Sequence, residues 1–139
     1  MSQPSSSFSH HQKSATWFTV IGAVAACVHY LVAVGLERFV SVQPTWSNVL
    51  GFVLAFPVSY IGHSKFSFAS QNALNRQALP RFLCVALAGF VANQSLVVLG
   101  LRYTPLPFWL LLGIVMVVVA VSTYLLSRYW AFKSGHPSL

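Results

Sequence analysis

Four long apolar stretches, separated by short segments that hold nearly every charge, constrain this chain more than any other feature. The stretches cover about residues 18–36, 47–62, 82–101 and 106–126 of 139. Charged residues make up 6% of the chain and the mean hydropathy is +0.69, whereas an ordinary soluble protein has about 25% charged residues. About 20 consecutive apolar residues span a bilayer core as a helix. The pattern predicts an all-α membrane protein with four transmembrane helices.

The spans fill most of the chain and leave no room for a soluble catalytic domain. Residues 1–14 are polar and rich in serine, so we predict a disordered cytoplasmic tail. Residues 15–133 form the predicted transmembrane domain, and 134–139 form a short C-terminal tail. A cleaved signal peptide is not expected, because the apolar run that begins at Trp17 is longer than the core of about 7–15 residues in such peptides.

The charge content excludes several classes of function. Glu37 is the single acidic residue, so no carboxylate pair exists for acid–base or metal-dependent glycosyl transfer. There is also no Walker loop and no HExxH motif, and we predict neither an enzyme nor a cofactor or metal site. The net charge of +7 does not indicate nucleic acid here, because the cations lie at helix ends, where anionic lipid headgroups attract them.

The distribution of these cations predicts the orientation. Lysine and arginine near helix ends are enriched on the cytoplasmic side. The two outer loops hold only Arg38 and Arg102, whereas the tails and the middle loop hold Lys13, Lys65, Arg76, Arg81, Arg128 and Lys133. Both termini are therefore predicted to lie in the cytoplasm.

The chain also aligns with itself, without a gap, at a shift of 64 residues. The shift places Phe18 on Phe82, Arg38 on Arg102, Tyr60 on Tyr124, Phe68 on Phe132 and His29 on Asn93. Each repeat contains two spans, so the chain crosses the membrane twice and returns to its starting side. The sequence therefore predicts two helical hairpins of the same orientation, the parallel type of transporter repeat.

His29 and its repeat partner Asn93 are polar residues within apolar spans. Polar groups at this depth face the bundle or a water-filled cavity, so both are candidate substrate-binding residues. His29 could bind a sugar hydroxyl or relay a proton. The alternative is hydrogen bonding between helices, worth about 0.6 kcal/mol per bond in measured cycles.

Each repeat ends in a motif that joins a cation to aromatic residues, at 60–68 and 124–132. Lysine and arginine bind phosphate, and aromatic faces can stack on sugars. The candidate substrate-binding residues of the two motifs are Tyr60, His63, Lys65, Tyr124, Arg128 and Trp130. The alternative for both motifs is an ordinary membrane anchor, since tryptophans and cations concentrate at span ends.

Two further features lie within or beside the first two spans. Glu37 and Arg38 close the outer end of the first span, where they either gate an outer opening or form a solvated pair. Pro57 cannot donate a hydrogen bond to the carbonyl of Val53, which predicts a kink or a locally open backbone in the second span.

Three sets of segments give the chain a family resemblance. It resembles the GtrA-like family of small four-helix membrane proteins at 18–22 with 28–30, at 58–63 with 66–68, and at 81–82, 93–94 and 126–132. The family often has Asn-Arg before each aromatic pair, where this chain has His63-Ser64 and Ser127-Arg128. Many members also have an acid near the position of His29.

The resemblance implies translocation, or flipping, of a polyprenyl-phosphate-linked sugar for cell-surface polysaccharide synthesis or glycosylation. It implies glycosyltransferases of the same pathway as partners. Four helices enclose little volume, so we also expect a homo-oligomer, most simply a symmetric dimer. Two alternatives are a small proton-coupled multidrug-type exporter and a non-transporting assembly subunit of a glycosyltransferase complex.

Overall fold

The part of the chain that the structure describes is helical except for two short turns. The computed structural model describes the backbone of residues 6–67 and 75–133 and the side chains of residues 16–66 and 83–125. No strand occurs within these ranges, and the predicted all-α class is confirmed. The four α-helices are α1 (Ser6–Val40), α2 (Pro44–Gly62), α3 (Asn75–Tyr103) and α4 (Phe108–Lys133), with a π-helix (His63–Ser67) directly after α2.

Each α-helix contributes a segment that is long and apolar enough to cross a membrane. The shortest has 18 residues, and at a rise of 1.5 Å per residue it covers about 27 Å of a hydrocarbon core of about 30 Å. The four predicted spans are confirmed, and the chain is a multi-pass membrane protein. The spans are Thr16–Val40, Pro44–Phe66, Leu83–Tyr103 and Phe108–Leu125.

Helix α1 begins earlier than the apolar run does. Its first residue is Ser6, which lies inside the segment predicted to be a disordered tail. Gln12, Lys13 and Ala15 are good helix formers, and the long span that follows supplies a formed helix onto which they can add without a new nucleation step. The C-terminal tail at 134–139 lies outside the described residues.

The turn between α1 and α2 is only three residues long. Ser41 adopts a φ of 60°, a left-handed conformation that ends helices because it reverses the chain direction. The amide of Val42 then donates to the carbonyl of Leu36 at 3.1 Å. Pro44 occupies the first turn of α2, where its missing amide hydrogen removes no hydrogen bond. The two helices are thereby joined as a tight antiparallel hairpin.

The turn between α3 and α4 uses different residues for the same purpose. Thr104 donates to the Gly100 carbonyl from both its backbone amide, at 2.9 Å, and its hydroxyl, at 2.7 Å. The carbonyl of Pro107 accepts the amide of Leu111 at 3.0 Å, which starts α4. The loop therefore pairs some of the backbone groups that each helix end would otherwise leave open.

The chain divides into two units, Met1–Val85 and Ala86–Leu139. The first hairpin consists of α1, α2 and the π-helix, and the second consists of α4 with the part of α3 that follows Val85. Their buried positions repeat with the predicted shift of 64 residues. The buried residues of the first hairpin that have buried equivalents are His29, Ala33, Ser47, Asn48 and Gly51, and those equivalents are Asn93, Val97, Leu111, Leu112 and Val115.

The two hairpins differ in how far from the turn their side chains are still buried. In the first hairpin Ile21, Ala25 and Ala55 are also buried, so its interior continues toward the end opposite the turn. At the repeat equivalent of Ala55, Val119 is only half-buried. Among the described side chains of the second hairpin, the buried ones all lie from Asn93 to Val115.

Candidate functional site

The interior of the first hairpin contains a hydrogen-bonded polar pair. The His29 Nε2 atom lies 2.8 Å from the Asn48 side-chain oxygen and 3.2 Å from the Asn48 backbone oxygen. Because both neighbours are oxygens, Nε2 carries the proton and donates. Asn48 is 0% exposed and His29 is 7% exposed. The pair links α1 to α2 in an environment where an unmade hydrogen bond would be expensive.

Small residues bring the two backbones close together around this pair. A Cβ atom on Gly51 would lie 2.8 Å from both Cδ2 and the backbone oxygen of His29, and 2.9 Å from the Cβ of Ala33. Such distances leave no space for any side chain at position 51. The ring of Phe52 meets the His29 ring edge-on, with 6.2 Å between centroids. The histidine is therefore held between a glycine backbone, an amide and an aromatic ring.

Asn93 occupies the equivalent position of the second hairpin. It is buried, as the alignment with His29 predicts, and it has at least one interaction partner. The repeat equivalent of Asn48 is Leu112, which is also fully buried but offers no polar atom. The two hairpins thus share one buried polar position, and only the first hairpin adds a polar partner at the second position.

The end of the first hairpin that holds 16–18 and 63–66 is called here the motif end. His63 is 3% exposed there, and its ring lies 4.5 Å from the ring of Phe18. Gly62 lies against Ile21, since a Cβ on Gly62 would approach the Ile21 Cγ2 to 2.6 Å. His63 is therefore buried against α1, where it helps to hold the motif residues in position.

The exposed part of the motif end is an aromatic pair beside a lysine. The rings of Trp17 and Phe66 are stacked, with centroids 5.2 Å apart and planes inclined by 24°. Lys65 is exposed, and the Ser64 hydroxyl donates to the Ile61 carbonyl at 3.0 Å. The π-helix widens the backbone at this point, a rare feature that is frequent at functional sites.

The remaining candidate residues are dispersed. The Tyr60 ring lies 6.1 Å from that of Phe56, whereas Tyr124 is 61% exposed. Glu37 is half-buried and Arg38 is exposed at the turn end of α1. Helix α2 is continuous through Pro57. The side chains of Arg128 and Trp130 lie outside the described residues, and their binding roles stay predictions.

Several residues described above were not among the sequence candidates, including Asn48, Ser47 and Trp17. Asn48 and Ser47 lie close to the start of a span, where polar residues usually mark a helix end, and their repeat equivalents are leucines. Trp17 fits the pattern of an aromatic belt equally well. A signal for Asn48 was nevertheless present, because a buried histidine in a span requires an acceptor.

Comparison with known proteins gives a family and no individual relative. The model of the GtrA/DPMS transmembrane domain matches residues 17–132, which are nearly the whole described chain. No curated protein and no solved structure matches the chain. The matched range begins at the stacked Trp17 and contains both hairpins and both motifs.

Proposed function

Because the chain belongs to the GtrA/DPMS transmembrane-domain family, and is thus a membrane protein of glycosylation or polysaccharide pathways, we propose that it flips a polyprenyl-phosphate-linked sugar. Such a carrier must let a polar headgroup pass through hydrocarbon while the polyprenyl tail stays in lipid. It needs polar groups along the path and cations for the phosphate. The proposed location is the bacterial inner membrane, with both termini in the cytoplasm.

The observation that carries the proposal is the burial of His29 and Asn93 at the same position of the repeat. Polar residues within spans are expensive and mark substrate paths or relays. A chain with 6% charged residues that keeps a polar group at mid-span in both hairpins supports such a path. The bond from His29 to Asn48 shows that the polar groups of the first hairpin are also used to join helices.

The roles of the other candidates follow their placement. Lys65 with Tyr60 in the first hairpin, and Arg128 with Tyr124 and Trp130 in the second, are proposed as separate places where a phosphate and its sugar bind on the cytoplasmic side. Glu37 and Arg38 are proposed to line the exit at the turn end. A homo-oligomer would supply the volume that four helices lack, and glycosyltransferases would load and unload the lipid.

Reconstitution into vesicles tests the proposal. Vesicles holding glucosyl phosphoryl undecaprenol with a labelled glucose should expose that glucose to a membrane-impermeant reagent faster with the protein than without it. Arg128→Ala should slow this exposure at least about tenfold, the effect of losing a charge-assisted hydrogen bond of about 1.5–3 kcal/mol. Arg102→Ala is the matched control, because Arg102 lies at the turn end of the same hairpin, outside the motif at 124–132, and its guanidinium already lies 5.8 Å from the ring centre of Tyr103.

Equal rates with and without protein would exclude flipping. If the protein then still co-purified with a glycosyltransferase of its host, the assembly-subunit alternative would take its place.

A further inference from the structure

Lys65 bears a charge that no side-chain carboxylate of the chain can neutralise. It is exposed at the motif end, beside Phe66, whose ring contacts Trp17. The single acid, Glu37, lies on α1 twenty residues beyond Trp17, which is about 30 Å away at 1.5 Å per residue. No side-chain carboxylate therefore lies near the cation at the motif end, which is open to a phosphate ligand.

The aromatic pair next to this cation presents open ring surface in a fixed orientation. Trp17 is 47% exposed and Phe66 is 54% exposed, so each residue keeps about half of its surface accessible while the two rings stack on each other. One ring comes from α1 and the other from the π-helix. Their stacking holds both rings in place, unlike a single tryptophan that lies freely in the headgroup region.

The backbone beneath the pair is also held firmly. The ring of His63 packs against the ring of Phe18 on α1, and Gly62 lies against Ile21, also on α1. These contacts attach the start of the π-helix to α1, so the positions of Lys65 and Phe66 relative to Trp17 are set by buried residues. A preorganised group loses less freedom when it binds a ligand.

We propose that Trp17 and Phe66 form a platform for the sugar ring of a glycosyl phosphate whose phosphate binds Lys65. The inference rests on the proposed function and assigns sugar recognition to the motif end of the first hairpin. The electron-rich face of an aromatic ring attracts the C–H groups on the face of a pyranose. Lysine binds phosphate as a point charge. The two binding groups are neighbours in the chain, as phosphate and sugar are neighbours in the ligand.

Direct binding by the full chain in detergent tests this assignment with two lipids of equal charge. One is glucosyl phosphoryl undecaprenol, and the other is methyl undecaprenyl phosphate, a diester without sugar. The wild type should bind the glucosyl lipid about tenfold more tightly than the methyl diester, which corresponds to about 1.4 kcal/mol. Trp17→Leu should abolish this preference while retaining affinity for the methyl diester. Trp17→Phe should keep most of the preference.

Two further variants separate the platform from its surroundings. Lys65→Gln should weaken binding of both diesters at least about tenfold, since each loses a charge-assisted contact. Trp46→Leu is the matched control, because Trp46 is an exposed tryptophan at the turn end of the same hairpin, and it should leave both affinities unchanged. Circular dichroism and gel filtration establish that each variant is folded.

Equal wild-type affinity for the two diesters would overturn the platform, as would an equal loss for both lipids in Trp17→Leu. Unchanged binding in Lys65→Gln would overturn the phosphate site. Transport is measured separately in vesicles. A sugar preference that depends on Trp17, in a protein that moves no lipid, would support the platform and contradict the flipping proposal.

Discussion

The two hairpins repeat one set of buried positions but fill them with different chemistry. At four of the five equivalent pairs the first hairpin has the smaller or more polar residue, namely Ala33 for Val97, Ser47 for Leu111, Asn48 for Leu112 and Gly51 for Val115. The first hairpin therefore combines close backbone approach with a hydrogen bond, whereas the second buries branched apolar side chains.

This difference shows two ways of joining helices in lipid. Between helices in a bilayer there is no hydrophobic driving force, so packing and hydrogen bonds determine association. Small residues permit backbone contact and polar residues add directed bonds. The first hairpin uses both small residues and a polar pair, so its two helices are held together by backbone contact and by a directed hydrogen bond. In the second hairpin the small residue lies on the other helix, since the Leu111 side chain occupies the space beside Gly100.

The largest expected effect comes from giving the first hairpin the second hairpin's residue at position 51. In Gly51→Val a side chain would overlap the His29 backbone oxygen, which cannot move without shifting α1. Overpacking typically lowers stability by about 1–3 kcal/mol, and we expect the upper part of that range. The measurement is unfolding by SDS titration in mixed micelles, followed by circular dichroism.

Val115→Ala is the control for this variant, because it changes the equivalent position without a backbone clash. It should lower stability by about 1–2 kcal/mol, because it removes two carbons and the loss of one typically costs about 0.5–1.5 kcal/mol. A Gly51→Val protein as stable as Val115→Ala would show that α1 and α2 do not approach as closely as the structure has them.

A smaller effect is expected from Asn48→Leu, which again installs the second hairpin's residue. The variant removes the 2.8 Å bond to His29 but keeps the backbone carbonyl at 3.2 Å. We expect a loss of about 1 kcal/mol, between the mean and the largest values measured for such bonds in membranes. A double-mutant cycle with His29→Leu measures the coupling by the same SDS titration.

If the two substitutions of this cycle were additive, the hydrogen bond would contribute nothing to stability. The buried polar pair would then have to be explained by substrate contact alone.

The smallest effect is expected at the hydroxyl groups beside the turns. Ser47→Ala removes a 3.1 Å bond to the Val42 carbonyl at a fully buried position, with an expected loss of about 0.5–1 kcal/mol. Thr104→Val removes a 2.7 Å bond to the Gly100 carbonyl at an exposed position, where water can replace it. The loss of stability in thermal unfolding should therefore be greater for Ser47→Ala than for Thr104→Val. The reverse order would show that burial of the hydroxyl does not determine what its hydrogen bond contributes.

The sequence alone predicts the four spans because the penalty for charge in lipid acts on every residue of a span. The repeat alignment also pairs His29 with Asn93, and both are buried. Asn48 could not be found in this way, since its equivalent is a leucine and its importance comes from a contact 19 residues away. The stacking of Trp17 on Phe66 joins residues still further apart, and no local pattern reports such a contact.

The π-helix has a consequence for how the two motifs could be exchanged. Residues 63–67 wind as a π-helix, while the equivalent backbone at 127–131 belongs to the α-helix α4. A wider turn rotates each following residue less than an α-helical turn does. The same number of residues therefore ends at a different angle around the axis in each copy. A chimaera that transplants one motif into the other hairpin would keep the residue types of the motif but place them at different angles around the helix axis. Duplication alone would therefore not have made the two motif-bearing ends interchangeable.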